Sequence, residues 1–93
     1  MSVIPRKKAS GVSTQRNAAF ASQLVYDAAE IGKLLRLRRK ELGYTQEDIA
    51  SFMSISPRLV GEIERGRKTV GIQKVLDMAT GLGINITLSV RGA

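Results

Sequence analysis

The 93-residue sequence has no histidine, no cysteine and no tryptophan, and only two tyrosines and two phenylalanines. It therefore lacks the usual general base, the thiol nucleophile, the common metal ligands and any disulfide. A chain of this length forms one small domain with a modest core, so an enzyme of this size would need an obvious site. We expect a binding protein rather than an enzyme, with no cofactor or metal. The lack of cysteine is compatible with the reducing cytoplasm, which is the expected location.

The sequence also has few acidic residues and no long hydrophobic run. Fifteen Lys and Arg against eight Asp and Glu give a net charge of +7 and an isoelectric point near 10.4. Such a balance favours a polyanionic partner, because binding neutralises phosphates and releases counterions. An anionic membrane surface would also attract this charge, but no segment is long enough to span a bilayer. Nucleic acid is the partner that these observations favour, with no membrane association.

The first 26 residues form a basic N-terminal arm. They contain four basic and no acidic residues, so they carry +4 of the total charge, namely on Arg6, Lys7, Lys8 and Arg16. Residues 1–17 show no periodicity and are rich in Ser, Gly and Lys, which predicts a largely flexible segment. The arm could follow a DNA backbone or enter a minor groove, it could be a solvated tail, or it could be a transit peptide. The sequence leaves these three alternatives open.

The most informative stretch is residues 44–66, which predicts two short helices joined by a tight turn. Thr45 is placed as the N-cap of the first helix, with Asp48 three residues later in the position of a capping box. Ser56 is the expected N-cap of the second helix and Pro57 its first residue, where the missing N–H costs nothing. Together these signals are typical of a helix-turn-helix.

Apolar residues at helical spacing give each of these two helices a buried face. The predicted buried residues are Ile49, Ala50, Phe52 and Met53 in the first helix and Leu59, Val60 and Ile63 in the second. Ile55 is expected to fill the angle between the helices, and Gly66 to end the second one. The polar side of the second helix would then face outward with Ser56, Arg58, Gly61, Glu62 and Arg65, and Glu62 is interpreted as a solvated charge.

A longer helix precedes the motif, beginning at Asp27 as N-cap and ending at Gly43. Its broad apolar face consists of Ile31, Leu34, Leu35, Arg38, Arg39 and Leu42. A partly buried arginine needs a carboxylate, and Glu64 lies on the inner face of the later helix. We therefore predict a structural ion pair between Arg39 and Glu64.

After the motif, a further helix is predicted over about residues 71–80, with Ile72, Val75, Leu76 and Ala79 buried. Residues 84–90 then alternate between polar and apolar side chains, which is typical of a half-buried strand. A lone strand leaves its backbone groups unpaired, so it needs either residues 23–26 or a second copy of the chain as a partner. We favour pairing across a two-fold axis. The dimer interface would then consist of Ile84, Ile86, Leu88 and Val90.

The segments Gly43-Tyr44-Thr45-Gln46 and Ile63-Glu64-Arg65-Gly66, at this spacing, resemble the Xre/Cro-type helix-turn-helix family of the lambdoid phage repressors. The resemblance covers roughly residues 30–83, and the C-terminal strand looks like that of the HipB branch of antitoxins. It implies a mainly α, lambda-repressor-like bundle of four to five helices with a C-terminal β-strand pairing across a dimer. The implied division is a basic arm over 1–26, a DNA-binding domain over 27–83 and a dimerisation strand and tail over 84–93.

The resemblance also implies which residues contact DNA. The family lays the second helix of the motif in the major groove. Arg58 could bind guanine with two hydrogen bonds and Leu59 could touch a thymine methyl, although Pro57 and Gly61 replace polar residues that are frequent in the family. The implied DNA-binding residues are Thr45, Gln46, Ser56, Pro57, Arg58, Leu59, Arg65, Arg67 and Lys68.

Several functions are compatible with these residues. The first hypothesis is a homodimeric, sequence-specific repressor that binds an inverted-repeat operator and serves as the antitoxin of a HipA-like kinase toxin. The alternatives are a stand-alone Xre-type regulator and a protein-interaction module that neutralises a partner while its DNA binding is incidental.

Overall fold

The computed structural model describes residues 22–92, which contain four α-helices around one core. Helix α1 spans Ala28–Glu41, α2 Gln46–Met53, α3 Pro57–Glu64 and α4 Ile72–Gly81. This mainly helical architecture confirms the predicted fold class. The flexible segment expected over residues 1–17 lies outside the described residues. Among residues 22–92, no helix has the length and apolar character needed to cross a bilayer.

The helices begin where the capping signals place them. The Asp27 side chain accepts a hydrogen bond of 2.9 Å from the Glu30 amide, and Glu30 Oε1 accepts one of 3.2 Å from the Asp27 amide. Thr45 and Asp48 form the same reciprocal capping box at α2. These bonds satisfy N–H groups that have no partner inside a helix. The predicted starts of α1 and α2 are confirmed.

The core lies between all four helices. Its buried apolar residues are Leu35, Leu42, Ile49, Ala50, Val60, Ile63, Met78, Ala79 and Leu82, with Ile55 and Leu59 packed partly against them. The buried stripe of α4 therefore includes Met78 and continues past the helix to Leu82, neither of which the sequence interpretation had selected. Ile55 fills the joint between α2 and α3, as expected.

Two residues predicted to be buried are exposed. Ile72 is 74% exposed at the first residue of α4, whose buried residues lie in its C-terminal half. Its side chain lines an open groove with Ala28, Ile31 and Val70 instead. Phe52 is also exposed, at the C-terminal turn of α2, although Ile49 and Ala50 on the same helix are buried.

Small residues allow α1 and the end of α3 to approach closely. A Cβ atom added to Gly32 would lie 2.3 Å from the backbone oxygen of Glu64, so no larger residue fits there. Gly66, which follows α3, has a φ of +75°, and a Cβ atom there would lie 2.4 Å from the Cα of Ala29. Both positions require glycine, and this contact fixes the position of α3 relative to α1.

The C-terminal segment leaves α4 in a fixed direction but does not form a strand within the chain. Arg38 Nε donates to the carbonyl oxygen of Leu82 at 3.0 Å, and the amide of Ile84 donates to the carbonyl of Ala79 at 2.8 Å. Residues 84–90 have no regular secondary structure, and over residues 22–92 there is no β-ladder. The alternative in which residues 23–26 pair with this segment in the same chain is therefore wrong.

Candidate nucleic-acid interface

The N-terminal end of α3 projects into solvent. The Ser56 hydroxyl accepts a hydrogen bond of 3.1 Å from the Leu59 amide, and Pro57 occupies the first helical position, as predicted. Ser56 and Pro57 are exposed, and the Arg58 side chain is 83% exposed. Leu59 differs from these three because it packs partly against the core. The side chains at the start of α3 are therefore available to a ligand, apart from Leu59, which presents only part of its surface.

The inner side of α3 is held by the buried ion pair that the sequence predicts. Arg39 donates from Nε to Glu64 Oε2 at 2.6 Å and from Nη2 to Glu64 Oε1 at 3.0 Å. Its third nitrogen, Nη1, donates to the carbonyl oxygen of Tyr44 at 2.8 Å. Gln46 Nε2 also donates to Glu64 Oε1, at 3.1 Å. One carboxylate thus ties α1, α2 and α3 together and sets the angle at which α3 is presented.

Gly61 does not face outward as the sequence interpretation expected, because two long side chains cover it. A Cβ atom added to Gly61 would lie 3.1 Å from Arg65 Nη1 and 3.5 Å from Gln46 Nε2. Gln46 comes from the start of α2 and Arg65 from the end of α3. These two predicted DNA-binding residues therefore lie together over the surface of Gly61.

The N-terminus of α2 provides a second set of donors. Thr45 is exposed and caps the helix, so its hydroxyl accepts from the Asp48 amide at 3.0 Å. The amides of the next residues, Gln46 and Glu47, have no acceptor inside the helix, as at the first turn of any α-helix. Amides in this position and the positive end of the helix dipole favour an anion such as a DNA phosphate.

The loop after α3 adds two exposed cations, Arg67 and Lys68. Arg67 Nη1 donates to Glu62 Oε2, and the same oxygen lies 3.5 Å from Arg58 Nε. Glu62 thus connects the start of α3 to the loop beyond it, and its interpretation as a solvated charge is wrong. The i, i+4 spacing of Arg58 and Glu62 was a signal in the sequence that could have revealed this contact.

The site residues thus form three adjoining groups. Thr45 and Gln46 stand at the start of α2, and Ser56 to Leu59 at the start of α3. Arg65, Arg67 and Lys68 lie at the end of α3 and beyond it. A protruding helix end with an exposed arginine, flanked by cations and helix amides, can address base edges and phosphates at the same time.

The helix-turn-helix family profile matches residues 35–88, more than half of the chain. The chain belongs to the helix-turn-helix family. It is 34% identical over 64 residues to the uncharacterised HTH-type transcriptional regulator y4mF of Sinorhizobium fredii, covering 69% of this chain and 84% of that protein. It is 43% identical over 58 residues to the uncharacterised HTH-type transcriptional regulator YazB of Bacillus subtilis, covering 61% and 84%.

Solved structures of HipB have the same fold as this helix-turn-helix protein. Its chain superposes with a TM-score of 0.68 on a HipB–O4 20mer complex and on a HipA–HipB–O2–O3 complex. In each case the identity is 18%, and the match covers 75% of this chain and 99% of the other. At this identity the likeness shows the fold alone. The family profile and the two relatives confirm the resemblance to Xre-type proteins, so the chain is a helix-turn-helix transcriptional regulator of the Xre type.

Proposed function

We propose that this protein is a sequence-specific DNA-binding repressor that acts as a homodimer on an inverted-repeat operator. The observation that carries the proposal is the two-sided character of α3. Its inner side is held by the Arg39–Glu64 pair, while its N-terminal end stands in solvent with the Arg58 side chain exposed. A rigid helix whose N-terminal residues are exposed has the geometry needed to enter a major groove.

The expected contacts divide into base reading and backbone positioning. Arg58 is the base-reading residue, because its guanidinium can bind the O6 and N7 of a guanine together. The α2 amides near Thr45, the Arg65 side chain above Gly61, and Lys68 in the loop would contact phosphates. These phosphate contacts fix the register, and Arg58 then distinguishes one sequence from another.

The proposal of a dimer rests on the apolar side chains that the C-terminal segment exposes to solvent. Leu88 is 96% exposed and Val90 79%, and Ile86 is also exposed, whereas Ile84 packs partly against the core. Pairing of this segment with its copy would supply the missing backbone partners and cover these side chains. Two copies of α3 would then contact half-sites about one helical turn apart, at roughly 34 Å.

DNA footprinting tests the proposed function directly. The full chain is mixed with the promoter region immediately upstream of its own gene and with a scrambled duplex of the same composition, at moderate salt. We expect protection of two half-sites related by a two-fold axis, on the promoter DNA alone. Equal binding to the promoter and the scrambled duplex would contradict the proposal.

A second candidate function is neutralisation of a protein toxin, and it rests on the likeness to HipB in the HipA–HipB–O2–O3 complex. If this function applies, the protein encoded beside this gene should be kinase-like and should copurify with this chain upon co-expression. If the Arg58→Ala variant copurifies with that protein as well as the parent chain does, toxin binding is separate from DNA binding. A neighbouring product that elutes separately from the chain would contradict it.

A further inference from the structure

Glu62 holds two of the arginines that point away from the core. Its Oε2 atom lies 3.5 Å from Arg58 Nε and accepts a hydrogen bond from Arg67 Nη1. The carbonyl oxygen of Glu62 also accepts from the Arg67 amide at 3.0 Å. The Glu62 side chain is only 15% exposed, whereas those of Arg58 and Arg67 are 83% and 54% exposed. One carboxylate therefore faces two cations on the surface that would meet DNA.

These contacts reduce the charge that α3 and its loop offer to a phosphate. Binding to DNA of arbitrary sequence depends almost entirely on phosphate neutralisation, whereas binding to an operator also gains from base contacts. An exposed Arg–Glu pair at i, i+4 is weak, so a bidentate guanine contact outweighs it. A single exposed phosphate contact is of comparable strength. Competition from Glu62 therefore weakens arbitrary-sequence binding more than operator binding.

We propose that Glu62 determines specificity by keeping Arg58 and Arg67 on the protein unless an operator competes for them. This inference rests on the proposed DNA-binding function and adds a role for a residue that does not itself read a base. In this mechanism Glu62 is a positioning residue that acts through the two arginines. Its removal should increase binding to all DNA and lower the preference for the operator.

The test compares Glu62→Gln with Asp77→Asn on a short duplex of random sequence. Both variants remove one negative charge, but Asp77 lies on α4, outside the three groups of predicted DNA-binding residues, and its side chain accepts a hydrogen bond of 2.9 Å from Gln73 Nε2. Between about 50 and 200 mM salt, Glu62→Gln should bind the duplex about three- to tenfold more tightly than the parent chain. The slope of log K against log salt should steepen by about one to two units, since each added phosphate contact contributes about 0.9. Asp77→Asn should give a clearly smaller change in both quantities.

Variants that lack the arginines show whether the effect passes through them. When Arg58→Ala and Arg67→Ala are both present, adding Glu62→Gln should give no more than the Asp77→Asn effect. With Glu62 intact, Arg67→Ala alone should change the salt slope by well under one unit, a measurement that does not depend on the folding of Glu62→Gln. A Glu62→Gln effect equal to that of Asp77→Asn, or one that persists without both arginines, would overturn the inference.

The outcome is separable from that of the proposed function. If the chain fails to distinguish its promoter from scrambled DNA, the proposed function is contradicted. The effect of Glu62 on the two arginines is measured on random DNA instead, because a basic chain binds such DNA through charge alone. Where the parent prefers the promoter, Glu62→Gln should reduce the ratio of promoter to random affinity, by less than the gain on random DNA because promoter binding also increases. An unchanged ratio would show that Glu62 does not determine specificity.

Discussion

Arg39 shows how one residue fixes both the fold and the presentation of α3. Arg39 and Glu64 are 6% and 5% exposed, and their side chains form two hydrogen bonds with each other. Loss of one partner would leave the other charge buried without compensation, which costs more than loss of the pair. The buried pair is therefore most sensitive to a change on one side only.

Single and double substitutions test this asymmetry. Arg39→Met and Glu64→Gln should each lower the free energy of unfolding by about 3–5 kcal/mol, because each leaves the charged partner buried without its counter-ion. The double variant should lose less than the sum of the two singles, since neither then leaves an unpaired charge. Urea denaturation followed by circular dichroism measures all three values. Strictly additive losses would show that the two residues act independently.

Arg58→Ala is the test of base reading at the residue scale. Because a bidentate guanine contact contributes about 1–3 kcal/mol of discrimination, this variant should lose that amount of preference for the operator over a scrambled duplex. Fluorescence anisotropy titrations with both duplexes measure the difference. The Arg58 side chain is mostly exposed, so the melting temperature should stay close to that of the parent.

Lys68→Ala is the matched control for Arg58→Ala, because it removes one exposed cation from the loop rather than from α3. It should weaken binding to operator and scrambled duplex alike and reduce the salt slope by about one unit. An Arg58→Ala variant that behaves in the same way as Lys68→Ala would assign Arg58 to the phosphate backbone instead of a base.

At the scale of the element, the glycines of two helices have opposite roles. Gly32 in α1 lies against the backbone of Glu64, which cannot move without displacing α3. Gly61 in α3 lies under the end of the Arg65 side chain, which is long and exposed, and at ordinary contact distance from Gln46. The first glycine is therefore required by packing. The second is in a helix interior, where glycine is less favourable than alanine.

Alanine substitution should separate the two positions. Gly32→Ala should lower the free energy of unfolding by about 3 kcal/mol, because the added methyl group overlaps backbone atoms. Gly61→Ala should raise it by about 0.5–1 kcal/mol, since the helix gains propensity and the Arg65 side chain can turn away. Urea or thermal unfolding measures both values. A loss of stability in Gly61→Ala would show that the covering side chains are fixed.

The sequence predicted the elements where a local signal exists and failed where the outcome depends on neighbours. The N-caps Asp27, Thr45 and Ser56 were identified because capping involves only residues within the next turn. The exposure of Ile72 could not be read from its spacing, because helical periodicity shows which side of a helix is apolar but not where the core ends. The strand expected over residues 84–90 depends on a partner that a single chain does not provide.

In the candidate site, too, the contacts with a local signal were predictable and those that depend on neighbouring helices were not. The Arg39–Glu64 pair was predictable because a buried arginine requires a carboxylate and Glu64 stands beside Ile63 on the inner face. The covering of Gly61 was not predictable, because it results from Gln46 and Arg65 meeting across the angle between two helices. The double contact of Glu62 was missed in part because Arg67 reaches it only after the turn at Gly66.

At the scale of the whole molecule, the C-terminal segment determines how many copies meet DNA. A chain that ends after Asn85 keeps Ile84, which packs against the core, and loses Leu88 and Val90. This truncated chain should remain folded but sediment as a monomer, and it should bind a single half-site poorly. Analytical ultracentrifugation and an anisotropy titration measure these two properties.

A point variant in the full chain separates dimerisation from truncation. Leu88→Asp should give the same monomer, whereas Leu37→Asp, which adds the same charge at an exposed apolar residue of α1, should leave the dimer intact. A truncated chain that still sediments as a dimer would place the interface elsewhere and would contradict the proposed pairing of chain ends.

The two sides of α3 have different roles, and this difference determines how the DNA sequence preference of the protein could be changed. Val60, Ile63 and Glu64 anchor the helix, whereas Pro57 and Arg58 make no contribution to the core. A codon library restricted to Pro57 and Arg58 can therefore sample new base preferences while every anchoring side chain is retained. Selection from such a library would change which genes the regulator controls without a new protein architecture.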